Sequence, residues 1–89
     1  LCNNLNIDYD KVVEYATLDD RLGLSHWNVP GPDGDFGFGG HCFPKDLSAL
    51  LHLTKQMNTT NNVLLATQRT NDEVRNDRDW ENMKGRAVI

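Results

Sequence analysis

The 89-residue sequence predicts a mainly α-helical fold in which one long Gly/Pro-rich loop separates a short helix from two longer ones. Two observations carry that prediction. Apolar residues recur at helical spacing in three places, and all but one of the seven glycines crowd into residues 23–40.

Taken in order, "LCNNLNI" reads as the final turn of a helix whose earlier turns are missing, so the chain is expected to be a segment of something longer. From Asp8 onward, Tyr9, Val12, Val13 and Ala16 fall at i, i+3, i+4 and i+7, which predicts a helix over 8–17 with Asp8 as its N-cap. Residues 23–40 also hold two of the three prolines, with "PGPDG" at 30–34, and no regular element survives that composition. A structureless loop longer than about 12–15 residues in a compact domain is usually functional or disordered. Trp27, Phe36 and Phe38 supply anchors that favour function.

Beyond the loop, Leu47, Leu50, Leu51 and Thr54 repeat with helical spacing, and Pro44 sits in a first turn that tolerates a missing N–H. A helix over 44–57 is expected. The triplet Asn58-Thr59-Thr60 reads as a loop between helices. A third helix, over 61–77, places Val63, Ala66, Thr70 and Val74 on one side and Arg69, Asp72, Glu73 and Arg75 largely elsewhere. The closing Ala87-Val88-Ile89 reads as the start of a strand.

A net charge of −4 leaves no basic stripe to neutralise phosphates, which argues against a nucleic-acid-binding module. No apolar run reaches the length of a membrane span and no signal peptide opens the chain, so a cytoplasmic location without membrane association is the default. Cys2 and Cys42 are too few and too far apart for a disulfide framework and read as thiols. A domain of this size buries only roughly 60–65% of its unfolded surface, and with 38% hydrophobic residues the chain is expected to lean on contacts outside itself.

Chemistry concentrates in "GFGGHCFPKD", residues 37–46. A dinucleotide fingerprint would need a third glycine where Cys42 stands and a strand before Gly37; a P-loop would need Lys-Ser/Thr after Gly40. His26, His41, Cys42 and His52 match no standard zinc spacing. A nucleophilic thiol fits better. Cys42 lies just before a helix, where free N–H groups and the dipole favour a thiolate, with His41 and Lys45 nearby, and Gly39 and Gly40 clear the approach to the sulfur. Asp46, one turn on, would project to a similar face and could hold or polarise a water. The plainer alternatives are a buried apolar cysteine, a first-turn aspartate and a solvated lysine, with Phe36 and Phe38 as packing residues.

"GFGGHCFPKD" resembles the active-site signature of the UDP-glucose/GDP-mannose dehydrogenase family, and the resemblance extends through "DDRLG", "VPGPDGDFGFGGHCFPKD", "TND" and "DWENMKGRAV". It implies a helical central (dimerisation) domain over residues 1–86 and the start of a following α/β domain at 87–89. It also implies an NAD-dependent enzyme that oxidises the C6 alcohol of UDP-glucose twice, to UDP-glucuronate, through a cysteine thiohemiacetal and thioester. By motif, Cys42 resembles the nucleophile and Asp46 the assisting carboxylate. Phe36, Gly37, Phe38, Gly39 and Gly40 resemble the loop that holds the UDP-sugar. Phe43, Pro44 and Lys45 resemble part of the cofactor side. Arg21 resembles an arginine that reaches a UDP-sugar bound by the neighbouring subunit of a homodimer. No roles carry over to Val29 through Asp35, which belong to a longer spacing than many members show, nor to His41 at a variable position. The "VPGPDG" loop is most similar to members acting on UDP-glucose; GDP-mannose and UDP-N-acetylmannosamine are the neighbouring substrates. The family's nucleotide-binding domains are absent from the sequence, so the chain alone is expected to be inactive. The rival readings are a dimerisation module without activity of its own and a free-standing small binding protein with a structural cysteine.

Overall fold

The computed structural model describes residues 1–82. Helices α1 (Tyr9–Ala16), α2 (Phe43–Gln56) and α3 (Asn62–Val74) follow one another, a short 3-10 turn spans Asp79–Asn82, and no strand occurs among the described residues. The mainly α fold is therefore the one the sequence predicts. The strand expected at Ala87–Ile89, and with it the boundary after residue 86, lies outside the described residues.

The first seven residues form a helical turn closed in the manner of a helix C-terminus. Ile7 N–H donates to Cys2 O at 2.9 Å and Asn6 N–H to Asn3 O at 3.3 Å, with Asn6 in the left-handed region at φ 54°. Asp8 then caps α1, its side chain accepting from Asp10 N–H at 3.0 Å, and at the other end Thr17 Oγ1 donates to Val13 O at 2.7 Å. Tyr9 ties this helix to the loop through its hydroxyl, which donates to Trp27 O at 2.6 Å.

α2 and α3 pack as a hairpin. The turn between them is set by Asn58 at φ 52°: Asn58 N–H donates to Lys55 O at 3.3 Å and Thr59 N–H to Thr54 O at 3.0 Å, closing α2 with the paired hydrogen bonds of a Schellman cap. Asn61 Nδ2, at the start of α3, reaches back to Thr54 Oγ1 at 3.1 Å.

Two expectations about which faces pack are corrected. On α2 the inward residues are Pro44, Leu47, Ser48, Leu51 and Thr54, with Leu50 45% exposed. On α3 the inward residues are Leu64, Leu65, Gln68 and Asn71, while Val63, Ala66, Thr70 and Val74 face outward. Apolar periodicity misled there because the buried Asn71 and the half-buried Gln68, polar groups with partners, share the inward face with Leu64 and Leu65. Asn71 bonds the loop backbone and Gln68 Nε2 lies 3.5 Å from Ser48 Oγ. The third helix also stops earlier than residue 77, at Val74, because Arg75 turns extended (φ −72°, ψ 129°) to bring its side chain inward. Among the described residues the buried set is Pro44, Leu51, Asn71 and Arg75, so this interior is half polar and its role is to fix the loop rather than to form an apolar core.

Candidate functional site

The loop 31–42 is held by three side chains from the end of α3 and just beyond it. Asn71, 5% exposed, pairs with Phe38 as a neighbouring strand would: its Oδ1 accepts Phe38 N–H at 2.7 Å and its Nδ2 donates to Phe38 O at 2.9 Å. The approach is so close that a Cβ on Gly37 would collide with Asn71 Oδ1, and Gly37 itself has φ 67°, so both space and backbone conformation require glycine here. Asp79 accepts the backbone N–H of Gly40 with both carboxylate oxygens, at 3.0 and 3.2 Å.

Between them lies Arg75, whose side chain is 2% exposed. Its guanidinium meets Asp33 at 3.0 Å, Asp35 at 3.5 Å and Asp79 at 3.5 Å, donates to Asp77 O at 2.9 Å, and sits 5.8 Å from the Trp80 ring centre. A buried charge persists only when paired in this way. Asp35, on the loop side, accepts the backbone N–H groups of Asn76 and Asp77 at 3.0 and 2.9 Å. These bonds hold its carboxyl below the usual range, the Asp77 N–H first and, against the cost of burial, the Asn76 and Phe36 N–H groups and the Arg75 charge. Asp33 is lowered as well, by the Asp35 N–H first and the Arg75 guanidinium next. None of Asn71, Arg75, Asp79 or the two loop aspartates carried a role in the sequence reading. The available signal was an arginine within four residues of several aspartates at a helix end.

This anchoring delivers the signature residues to the head of α2. Phe38 packs edge-on against Phe43, the first residue of the helix, with ring centres 5.8 Å apart and planes at 85°. Cys42 is the exposed N-cap, with no side-chain cap bond of its own, and its carbonyl accepts the N–H of Asp46 at 2.8 Å. The Asp46 carboxylate is 66% exposed and lies 3.5 Å from Lys45 Nζ. Pro44 is buried in the first turn of α2, whereas Phe43 is 67% exposed. Beside this helix head opens a cleft of about 410 Å³ lined by Pro32, Asp33, Gly37, Phe38, Gly39, Gly40 and Phe43, with Arg75 and Asp79 at its floor. Gly39 makes room for the protein itself: a Cβ there would collide with Arg75 Nη2 and crowd Asp79 Oδ1. Gly40 has φ 75° and open space around it.

Of the residues named from sequence, Gly37, Phe38, Gly39, Gly40 and Phe43 are brought together around this cleft. Cys42, Pro44, Lys45 and Asp46 are not among the residues that line it, although Cys42 adjoins Phe43 in the chain, and Phe36, 41% exposed, lies on the opposite side of the loop beside Cys2, Tyr9 and Val29. Arg21 is not among the cleft residues. It is exposed and held by Asp19, whose carboxylate accepts from Arg21 Nε at 3.0 Å and Nη2 at 2.7 Å, lowering the aspartate and raising the arginine. Among the described residues no group of three or more His, Cys, Asp or Glu is placed to hold a metal ion, and no helix is long and apolar enough to cross a membrane.

The UDP-glucose 6-dehydrogenase TuaD of Bacillus subtilis is 33% identical over 75 residues, which cover 84% of this chain and 15% of that protein. The UDP-glucose 6-dehydrogenase of Rickettsia bellii is 37% identical over 73 residues, 82% of this chain and 16% of that protein. The chain thus spans about 15% of the length of the curated relatives it matches. No solved structure matches it significantly. The family model for the central domain of UDP-glucose/GDP-mannose dehydrogenases matches residues 1–73, and with the helices, the loop and the thiol at the head of α2 in view, the chain belongs to the UDP-glucose/GDP-mannose dehydrogenase family.

Proposed function

We propose that this chain is part of the central domain of a cytoplasmic, NAD-dependent UDP-glucose 6-dehydrogenase, in which Cys42 is the nucleophile of a two-step oxidation of UDP-glucose to UDP-glucuronate. The observation that carries the reading is the placement of an exposed thiol at the start of α2, with Asp46 one turn on and a glycine-lined cleft alongside. The names of the relatives favour UDP-glucose over GDP-mannose or UDP-N-acetylmannosamine.

The described residues contain no strand-turn-helix cradle for a dinucleotide, so they do not by themselves fit NAD. They offer it an edge only, the exposed Phe43 ring and Lys45 beside Cys42 with Pro44 turned inward, and the remainder of that site is assigned to residues outside this chain. Bound NAD would accept the hydrides of both oxidations. The chain's own part is capture and release. Cys42 Sγ adds to the carbonyl carbon of the C6 aldehyde while its oxygen takes up a proton, giving a thiohemiacetal. Once that adduct has lost a hydride and a proton, the resulting thioester is attacked by water, the C–S bond breaks, and the acid leaves as the thiol recovers its proton. Asp46, largely exposed one turn from Cys42, is suited to hold that water.

The UDP-sugar would lie along Gly37 to Gly40, where the cleft opens, with Phe36 on the other side of the loop. Arg21, free of the cleft of its own chain, would reach the sugar nucleotide of a neighbouring copy in a homodimer. The outward face of α3 supports association: with Gly37 and Phe38, Val63, Ala66, Thr70 and Val74 line a groove of about 480 Å³, and Val63 is 79% exposed.

The test is Cys42→Ser in the whole protein that carries this chain. It should bind UDP-glucose nearly as before and form no UDP-glucuronate. Normal acid production by that variant would overturn the reading.

A further inference from the structure

Arg75, Asp79 and Trp80 lie beyond residues 1–73, the part matched by the family model, yet they hold the loop that ends at Cys42. We propose that Arg75 is a positioning residue for the Cys42 thiol, acting through Asp79 and the backbone of Gly40. The inference rests on the reading of Cys42 as nucleophile.

The path is short and each link is a contact. The guanidinium of Arg75, 2% exposed, lies 3.5 Å from Asp79 Oδ1, and that same oxygen accepts the Gly40 N–H at 3.0 Å. Only His41 separates Gly40 from Cys42. Cys42 is fixed on its other side by α2, where its carbonyl accepts the Asp46 N–H at 2.8 Å. The thiol therefore stands between two anchors, the first turn of a helix and the Asp79 latch, and its exposed side chain has no third among the described residues. Gly39 belongs to the same device, because a Cβ there would push Arg75 and Asp79 apart.

Arg75 also ties down the other end of the loop. Its Nη1 meets Asp33 at 3.0 Å and donates to Phe36 O at 3.4 Å, and its Nε lies 3.5 Å from Asp35. One planar guanidinium thus serves the entry and the exit of the segment that lines the cleft, a task that a point charge on a flexible stem cannot reproduce. Misplacing a reacting atom by about 1 Å can cost on the order of 100-fold in rate, which is the scale on which such a latch matters.

The experiment uses the whole protein with Arg75→Met, Asp79→Ala and Asp79→Asn, each checked for folding by circular dichroism and melting. Turnover of UDP-glucose to the acid and the exchange rate of the Gly40 amide are read for each. Asp79→Ala and Arg75→Met are expected to lower kcat by about 100-fold with Gly40 exchange accelerated. Asp79→Asn, which keeps an oxygen for the Gly40 N–H, should restore most of the rate. Should Arg75→Met fail to fold, the Asp79 pair decides. A folded Asp79→Ala protein with kcat within about threefold of the parent, or an Asp79→Asn protein as slow as Asp79→Ala, overturns the proposal. Acid formation by Cys42→Ser would instead overturn the nucleophile, while unchanged Gly40 exchange in Asp79→Ala would overturn the latch whatever Cys42 does.

Discussion

Asn71 holds Phe38 by both backbone groups, accepting its N–H at 2.7 Å and donating to its carbonyl at 2.9 Å from a side chain that is almost wholly buried. A helix thereby supplies what a paired strand would, and the loop crosses the end of α3 with its polar backbone satisfied.

Removing that side chain leaves both Phe38 groups without partners. Asn71→Ala in the whole protein is expected to destabilise by about 1–3 kcal/mol for each group left unpaired. Asn71→Asp should do no better, because it keeps the acceptor but sets a carboxylate against the Phe38 carbonyl. The midpoint of urea unfolding checks both, and an unshifted midpoint for Asn71→Ala would show that water replaces the pair.

The glycines should separate by environment. Gly37→Ala meets Asn71 Oδ1 and also needs φ 67°, Gly40→Ala needs φ 75° in open space, and Gly23→Ala meets neither obstacle. The expected order of destabilisation is Gly37 first, then Gly40 at about 1–2 kcal/mol, with Gly23 neutral or slightly stabilising. Melting temperatures of the three variants test the order; a Gly40 variant less stable than the Gly37 variant would contradict it.

The loop aspartates predict an acid dependence. Asp33 and Asp35 have carboxyls lowered from 3.8 by backbone N–H groups and Arg75, so the stability they lend is complete above that value and is lost as pH falls through their lower folded values. Asp35→Asn should melt below the parent at pH 6, and the gap should shrink as the pH is taken below 3.8. A gap that stays constant or widens in acid would reverse the sign of this linkage.

Arg21 separates stability from binding. Its side chain is 88% exposed and, among the described residues, its one partner is Asp19, so Arg21→Ala should leave the melting temperature unchanged. If it reaches the sugar nucleotide of a neighbouring copy, the same variant raises KM for UDP-glucose at least tenfold, on the order of the roughly 1.5–3 kcal/mol of a hydrogen bond to a charged group. An unchanged KM would remove Arg21 from the site.

What the sequence by itself determined about this protein is local: the helix that Asp8 starts, the loop that glycine and proline impose, the helix that Pro44 opens, and a ten-residue signature specific enough to give the family. Each depends on residues within about one turn of one another, the range over which capping, turn chemistry and hydrophobic period operate. What only the tertiary structure decided is which face of α3 turns inward and why its last turn ends at Val74. Asn71 and Arg75 read as polar, and therefore outward, until Phe38 and the loop aspartates arrive from 33 to 42 residues away to pair with them. Burial of a polar side chain is decided by its partners, and these are a loop backbone and loop carboxylates that the chain's own order keeps far apart.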